Sequence, residues 1–386
     1  MKWFIVLSRV PYPLDKGDKL RAYHFIKQLS QSGFELNVCC LHFNELNIEI
    51  ENQLKLPNVT WHFIQLSKWK TALLPFNIFI KKPFQVCLFE QKKAKTRINK
   101  LLQEIKPEIV FSQLIRTTEY CKNYANGHKI IDYMDALGEG MRRRSEKSNF
   151  PMNILFKIES NRLRNYERTI WSNFDEHLVI SSQDCRLIDS PNPTKWKIVE
   201  NGIDTIFFSP KNDNSKIDFT ILFTGNMSYP PNIDAVLFLA KEIMPLVWNK
   251  IPKCKLTISG VDPDRSIKNL ENELIEVTGK VDDIRTAYST ATLFVAPMRI
   301  GTGMQNKILE ALSMELPVIT TSMAANAFEI DIQSHLNICD NANEIAECAI
   351  RMLSSKTQQR QTEARKLLSE KYNWESKISK WLKTLQ

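Results

Sequence analysis

A chain of 386 residues with 43% hydrophobic and 25% charged residues has the composition of an ordinary globular protein, long enough for two domains and free of low-complexity tracts. Eight scattered Cys without a CxxC pair, and only six His, exclude a zinc or disulfide scaffold and point to reduced thiols in a cytosolic protein. The net charge of +9 favours an anionic partner, but no RNA- or DNA-binding motif accompanies it, so nucleic acid is not expected.

The amino-terminal run "MKWFIVLS" is too short for a signal peptide and is followed by charge and Pro; it reads as a buried strand. "KLRAYHFIKQLSQSG" reads as a helix ending at Gly33, and "ELNVCCLHF" as a second strand. "ALLPFNIFI" (72–80) falls far below the ~20 residues a membrane span needs. From 65 to 106 there are ten basic residues against two acidic, a balance of +8, interleaved with Trp69, Phe76, Phe79, Phe84 and Phe89. That stretch is either a surface resting on anionic lipid headgroups or a solvated helix face beside core aromatics.

Next come the basic helix "KKAKTRINKLLQEIKP", the strands "EIVFSQL" and "HKIIDYMD", the long helix "KIESNRLRNYERTIWSNF", the strand "EHLVIS" and the short strand of "KWKIVENGID". After "KNDNSK" a second series opens with the strand "FTILFTG", the helix "NIDAVLFLAKEIMPLVWNKIP" and the strands "CKLTISG" and "LIEVTGKV". The helix "DDIRTAYSTA", the strand "TLFVAPM", a helix over "ILEALSM" and the strand "LPVITT" follow. Late helices lie in "NANEIAECAIRMLSS" and "TEARKLLSEKY". Strands alternating with helices predict an α/β protein of two doubly wound, parallel-sheet domains. A dinucleotide-binding dehydrogenase is the rival for such a fold. It should carry GxGxxG after a strand, and neither "RVPYPLDKGDK" nor "GTGMQN" supplies it.

The stretch "PMRIGTGMQNKILEA" (297–311) sits at the carboxyl end of a predicted strand, where α/β sheets bind ligands. Gly301 and Gly303 allow close backbone approach, and a helix starting near Met304 aims its free N–H groups at an anion. Arg299 and Lys307 add charge suited to a diphosphate. Glu310, on the same helix face as Lys307, suits a pair of ribose hydroxyls. The constellation reads as a nucleoside diphosphate site; the alternative is a Gly-rich turn with a surface salt bridge.

The pattern P-x-R-x-G-x-G-x-x-x-K-x-x-E-A followed by "LPVITT" resembles family 4 glycosyltransferases, the retaining sugar transferases of GT-B fold. "ENGID" with its following Phe and Pro, "ILFTGNMSYPPN", "VTGKVDDIRTAYSTATLFVAP", "PYPLDKGDKLR" and "YNWESKISKWLKTL" are similar to that family's hinge, nucleotide-domain strand, signature run, donor loop and crossover helix, in the same order. The resemblance implies an N-terminal acceptor domain over 1–205 completed by a crossover helix at 373–386, and a nucleotide-sugar domain over 206–372. It places Gly17 at the donor phosphate. Many members carry a second Glu eight residues before the last; here that position is Thr302, leaving the donor sugar to the backbone of Gly303, Met304 and Gln305, alone or with the side chain of Gln305 or Asn306. Asn226 stands where an Arg is usual, as in members with the R-x-G-x-G signature. "KIIDYMDALGE" falls where the family has a strand ending in His, which puts Asp135 at the His position and Asp132 earlier in the loop; each is either catalytic or a helix cap. "MRRRSEK" is either a contact for an acceptor diphosphate or lipid headgroups or a solvated helix start.

The expected activity is transfer of a hexose from a nucleotide sugar, a UDP-sugar, to a hydroxyl on a cell-surface or lipid-linked glycan. No cofactor or metal is expected, and the expected place is the cytoplasm at the inner face of the membrane. A non-hydrolysing nucleotide-sugar epimerase and a non-catalytic subunit of the same fold remain as rivals.

Overall fold

The computed structural model describes residues 1–14, 16–46, 48–68, 81–210, 219–301, 304–355 and 361–385. The chain divides into two compact units, Met1–Glu200 with Ile378–Gln386, and Asn201–Lys377. The connecting stretch "KNDNSK" lies outside the described residues.

In the first unit the described residues build a seven-stranded sheet in the order β3-β2-β1-β4-β5-β6-β7. Its strands are β1 (Lys2–Leu7), β2 (Glu35–His42), β3 (Val59–Gln65), β4 (Ile109–Gln113), β5 (His128–Met134), β6 (Glu176–Val179) and β7 (Trp196–Ile198). All pairings are parallel, with Phe4 beside Asn37 on one side and Val110 on the other. β1 and β4 are fully or almost fully buried, as their unbroken apolar runs require when helices cover both faces. β3 has no place in the predicted series. It is the half-exposed edge strand, and "VTWHFIQ" carries too many polar residues to read as a buried run.

Helix α1 (Gly17–Gln31) crosses from β1 to β2, and α2 (Lys92–Ile105) leads into β4. A hairpin of α3 (Leu137–Lys147) and α4 (Met152–Ile170) joins β5 to β6. α4 opens five residues ahead of the predicted Lys157 start and ends at Ile170.

The second unit holds a six-stranded sheet in the order β10-β9-β8-β11-β12-β13. Its strands are β8 (Thr220–Thr224), β9 (Lys255–Ser259), β10 (Ile275–Gly279), β11 (Leu293–Ala296), β12 (Val318–Thr320) and the two-residue β13 (Asn337–Ile338), again all parallel. The helices that bear on the site are α5 (Pro230–Phe238), α6 (Ile284–Thr290), α7 (Asn306–Ser313) and α8 (Thr362–Lys371). The helix predicted across 232–252 is broken after α5 by a π turn at Leu239–Ile243. Pro245 just beyond lacks the N–H that an α-helix needs there, so the ladder rearranges around it. In the last helix, α9 (Trp374–Leu382), Trp381 packs on Trp3, Phe25 and Phe111 and donates to Glu176, closing the core of the first unit.

In each unit the sheet order reverses direction once, between β1 and β4 and between β8 and β11. The crevice at the carboxyl ends beside such a switch is where open α/β sheets bind ligands.

Candidate functional site

At the switch of the second unit, β8 runs directly into Gly225, and the neighbouring β9 runs directly into Gly260. A Cβ on Gly260 would stand 1.7 Å from the Gly225 carbonyl oxygen, so backbone packs on backbone with no room for a side chain. A Cβ on Gly225 would stand 2.7 Å from Asn232 Nδ2 and 3.2 Å from Lys307 Nζ. Asn226, one step on, folds its own loop: its Oδ1 accepts from Ser228 N and Oγ, and its carbonyl accepts from Asn232 Nδ2 at 2.8 Å.

Lys307, in the first turn of α7, is 8% exposed. Its Nζ donates to Asn232 Oδ1 at 2.5 Å and sits 4.3 Å from the centre of the Phe223 ring. Burial pushes its ammonium down to about 7, opposed by the attraction of Glu310. Glu310, one turn along α7, accepts from the Tyr288 hydroxyl at 2.7 Å. Tyr288, buried on α6, lies 2.7 Å from Thr224 Oγ1, which must donate because the tyrosyl proton goes to Glu310. Burial raises the Glu310 carboxyl above the usual range, against the Tyr288 bond and the Lys307 charge.

Both ends of α7 are tied down. Asn201 Nδ2 donates to Asn306 Oδ1 at 3.0 Å. Arg365 on α8 donates to the Ser313 carbonyl at 2.5 Å, to Phe208 at 2.7 Å and to Thr205 at 2.9 Å. The "NGID" element thus helps set where α7 begins, and its Gly202 is needed because a Cβ there would meet Trp374 N at 2.4 Å.

The first unit holds a second cluster, at the end of β5. Asp132 lies on the strand itself, not in the loop as expected, and is fully buried. Arg21 of α1 donates to it at 2.6 and 3.2 Å and to the Val199 carbonyl at 2.7 Å. Met134 turns the chain with φ 65°, in the left-handed region, and delivers Asp135 beyond the strand. Asp135 Oδ1 is buried without a hydrogen-bond partner. Burial pushes the Asp135 carboxyl up to about 7, helped by Asp184, Asp18 and Asp132 and opposed by Arg116. The loop after it hangs on two more buried carboxylates: Ala136 N donates to Asp184 at 3.1 Å and Gly138 N to Glu167 at 3.0 Å. Burial carries those carboxyls up as well, to about 6 and about 8.

Residues 218–355 match the family model of glycosyl transferases group 1. That span includes every residue of the Lys307 cluster and ends short of α8 and of the first unit. An uncharacterized 44.6 kDa protein in the cps region of Klebsiella pneumoniae is 22% identical over 340 residues, 84% of each chain. Sucrose-phosphate synthase from Thermosynechococcus elongatus superposes with a TM-score of 0.71 at 14% identity, covering 100% of this chain and 98% of its own. HepE from Anabaena, in complex with UDP and glucose, gives 0.70 at 12% identity, covering 100% and 99%. A TarM variant from S. aureus, in complex with Fondaparinux, alpha-GlcNAc-glycerol and UDP, gives 0.68 at 12% identity, covering 99% of both chains. The fold is that of GT-B glycosyltransferases, two Rossmann-like parallel-sheet domains.

Of the residues singled out in the region matched by the family model, Lys307 and Glu310 share α7, Gln305 directly precedes it, Met304 is buried, and Gly301 lies against Pro231. The helix opens at Asn306, two residues after the expected Met304. Thr302 and Gly303 lie outside the described residues. Gly301 needs its freedom, with φ 108° and Pro231 at 3.4 Å from where a Cβ would be. Arg299, expected to offer its charge to a phosphate, forks onto Asp234 at 2.9 and 3.0 Å and lies over the Phe238 ring at 4.1 Å. Gly17 opens α1, and a Cβ there would meet nothing within 4 Å. Among the described residues no group of three or more His, Cys, Asp and Glu is placed to hold a metal, and no helix is long and apolar enough to cross a membrane.

Tyr288 and Asn232 escaped the sequence reading as site residues. Both lie inside motifs quoted for their resemblance, "DDIRTAYSTA" and "SYPPN". An uncharged side chain gives no sign of a partner 22 or 75 residues away. Arg21 likewise closes the quoted "PYPLDKGDKLR" without being singled out, whereas Asp184 and Glu167 carried no signal as site residues.

Proposed function

We propose that the protein is a retaining glycosyltransferase that moves a hexose from a UDP-sugar to a hydroxyl of a cell-surface or lipid-linked glycan. The observation that carries this reading is Lys307 buried beside Gly225 at the sheet switch, with Glu310 held by Tyr288 three residues further along the same helix. A buried amine against a bare glycine backbone suits a diphosphate oxygen, since an anion there would restore the charge that burial suppresses. A carboxylate whose second oxygen remains available suits a ribose diol. HepE and TarM were solved with UDP, which supports the choice of nucleotide, and the relative in a cps region fits a cell-surface glycan.

In the reaction so assigned, the bond from the hexose to the diphosphate breaks and a bond from the acceptor oxygen forms on the same face. The acceptor proton passes to the leaving nucleoside diphosphate. Lys307 and the amides that open α7 offset the charge of that leaving group, so no metal is assigned to it. Asp135 is the residue the reading assigns to the hexose, as a carboxyl able to hold either a proton or a negative charge near neutral pH. The acceptor is placed at the inner face of the membrane, with the basic 65–106 stretch among the surfaces that meet it.

The test is incubation of the purified protein with labelled UDP-, GDP- and ADP-sugars. Slow hydrolysis of one donor to free sugar and nucleoside diphosphate supports the reading. Conversion to an isomeric nucleotide sugar with the diphosphate bond intact identifies an epimerase instead. No turnover of any donor, with UDP binding retained, identifies a non-catalytic subunit.

A further inference from the structure

The turn between α3 and α4 presents an apolar tip to solvent. Phe150 is 79% exposed, Ile154 50%, Met152 44% and Leu155 36%, four large apolar side chains within six positions. The hairpin itself is well anchored at its base, where Ser160 Oγ donates to the Gly138 carbonyl at 2.8 Å and Glu167 holds Gly138 N. Basic residues flank the tip: 139–157 contains Arg142, Arg143, Arg144, Lys147 and Lys157 against Glu139 and Glu146, and those two carboxylates pair with Arg142 and Arg143. Arg144 lies over the Phe156 ring at 4.2 Å, just behind the apolar residues, and Lys157 is exposed.

We propose that this hairpin tip is a membrane-docking element that inserts Phe150, Met152, Ile154 and Leu155 into an anionic lipid interface. At about 100° per residue, Met152, Ile154 and Leu155 fall at roughly 0°, 200° and 300° around α4, an arc of about 160° on one side of the helix, and Phe150 in the turn carries the apolar surface past the helix end. The charge balance around them favours lipid over a protein partner: it is positive, which complements anionic headgroups at the depth where a snorkelling Arg or Lys would lie.

The basic 65–106 stretch is less suited to the task. Residues 69–80 lie outside the described structure. Beyond them, Lys82 is bound to Glu90 at 2.7 Å and to Glu119 at 3.2 Å, Lys95 lies 3.8 Å from Glu90, and Arg162 covers the Phe84 ring at 4.7 Å. The tip is also linked to chemistry. α3 is 11 residues long and runs directly from the Asp135 loop to the turn. Insertion would therefore hold that loop about 16 Å from the headgroups, a distance suited to an acceptor whose lipid end stays in the bilayer.

Co-sedimentation of the full chain with vesicles tests this without any sugar substrate, so its failure and that of the proposed reaction are separate results. Wild type should pellet with vesicles of equal parts phosphatidylglycerol and phosphatidylcholine at low salt, and not with phosphatidylcholine alone. Phe150→Ser with Leu155→Ser should lower the bound fraction about tenfold or more, with melting temperature and far-UV circular dichroism unchanged, because both side chains are solvent-exposed. Phe150→Ser alone should give an intermediate loss and serves if the double variant folds poorly. The proposal is overturned if wild type does not pellet or if the tip variants pellet like wild type. It is overturned equally if Lys92→Glu with Lys93→Glu loses binding that the tip variant keeps. A dimer that the tip variant alone dissolves, with no dependence on vesicles, would make the patch a protein interface.

Discussion

Lys307 Nζ donates to Asn232 Oδ1 at 2.5 Å and lies 4.3 Å from the centre of the Phe223 ring. A neutral amide and an aromatic face are its partners, so the amine is held where charge is disfavoured until an anion arrives.

That arrangement makes nucleotide binding pH-dependent. Burial brings Lys307 to about 7, while an unfolded lysine titrates near 10.4. Between these values the unfolded chain holds more protons, so Lys307 makes stability rise with pH across that window. A bound diphosphate favours the charged amine, so binding above pH 7 should take up a proton. Affinity for UDP should then fall as pH rises, by at most about tenfold per unit. Calorimetric titration in buffers of differing ionisation heat measures the uptake, and zero uptake at pH 8 would remove Lys307 from the anion site.

Lys307→Met retains the length and apolar stem of the side chain and deletes its charge. Turnover should fall by the equivalent of about 2–4 kcal/mol in kcat/KM, the range for losing one preorganised donor to developing charge. A kcat/KM equal to that of wild type would refute the assignment.

Tyr288→Phe removes one hydroxyl and leaves both Glu310 Oε2 and Thr224 Oγ1 without that partner. Stranding such groups costs about 1–3 kcal/mol. A lowered melting temperature should accompany weaker UDP binding, because Glu310 is then free to leave its rotamer. Unchanged melting would show that the chain Thr224–Tyr288–Glu310 contributes nothing to the fold.

The two aspartates of β5 should separate cleanly. Asp132→Asn removes the carboxylate charge that offsets the buried Arg21 and should cost about 3–5 kcal/mol of stability. Asp135→Asn should do the opposite. With its carboxyl raised to about 7, Asp135 holds a proton in the folded chain after the unfolded one has lost it, so its contribution to stability declines as pH rises from about 4 through 7. The Asn variant escapes that decline and should melt no lower than wild type at pH 8, while losing turnover with UDP affinity unchanged. Denaturant melts at pH 5 and pH 8 give the comparison; a destabilised Asp135→Asn would mean that its carboxylate is paired.

Two glycines should answer oppositely to Ala. Gly260→Ala drives a methyl against the Gly225 carbonyl, a backbone atom that cannot yield locally, and should leave little folded protein. Gly17→Ala meets open space and should fold and melt like wild type while, on the proposed reading, lowering turnover by crowding the donor. Full activity in a well-folded Gly17→Ala would remove Gly17 from the donor site.

The α/β class was legible because buried parallel strands appear as unbroken apolar runs: "WFIVL" in β1 and "LFVA" in β11 could hardly be anything else. Lys307 and Glu310 were legible as one helix face because helical spacing is a local property of the chain. Two of the four edge strands were not: β3 faces solvent on part of its surface, and β13 is two residues long, so neither carries an apolar run. Nor were the partners. Asp132 read as a loop carboxylate open to catalysis, and only the fold brings Arg21, 111 residues away, into contact with it. Arg299 read as a phosphate ligand, and only the fold sets Asp234 of α5 against it. Local sequence sets which residues share a strand or a helix face. Which charges are paired, and which stay buried and alone like Asp135 Oδ1, depends on which elements the sheet order brings together, and that is decided only when the cores close.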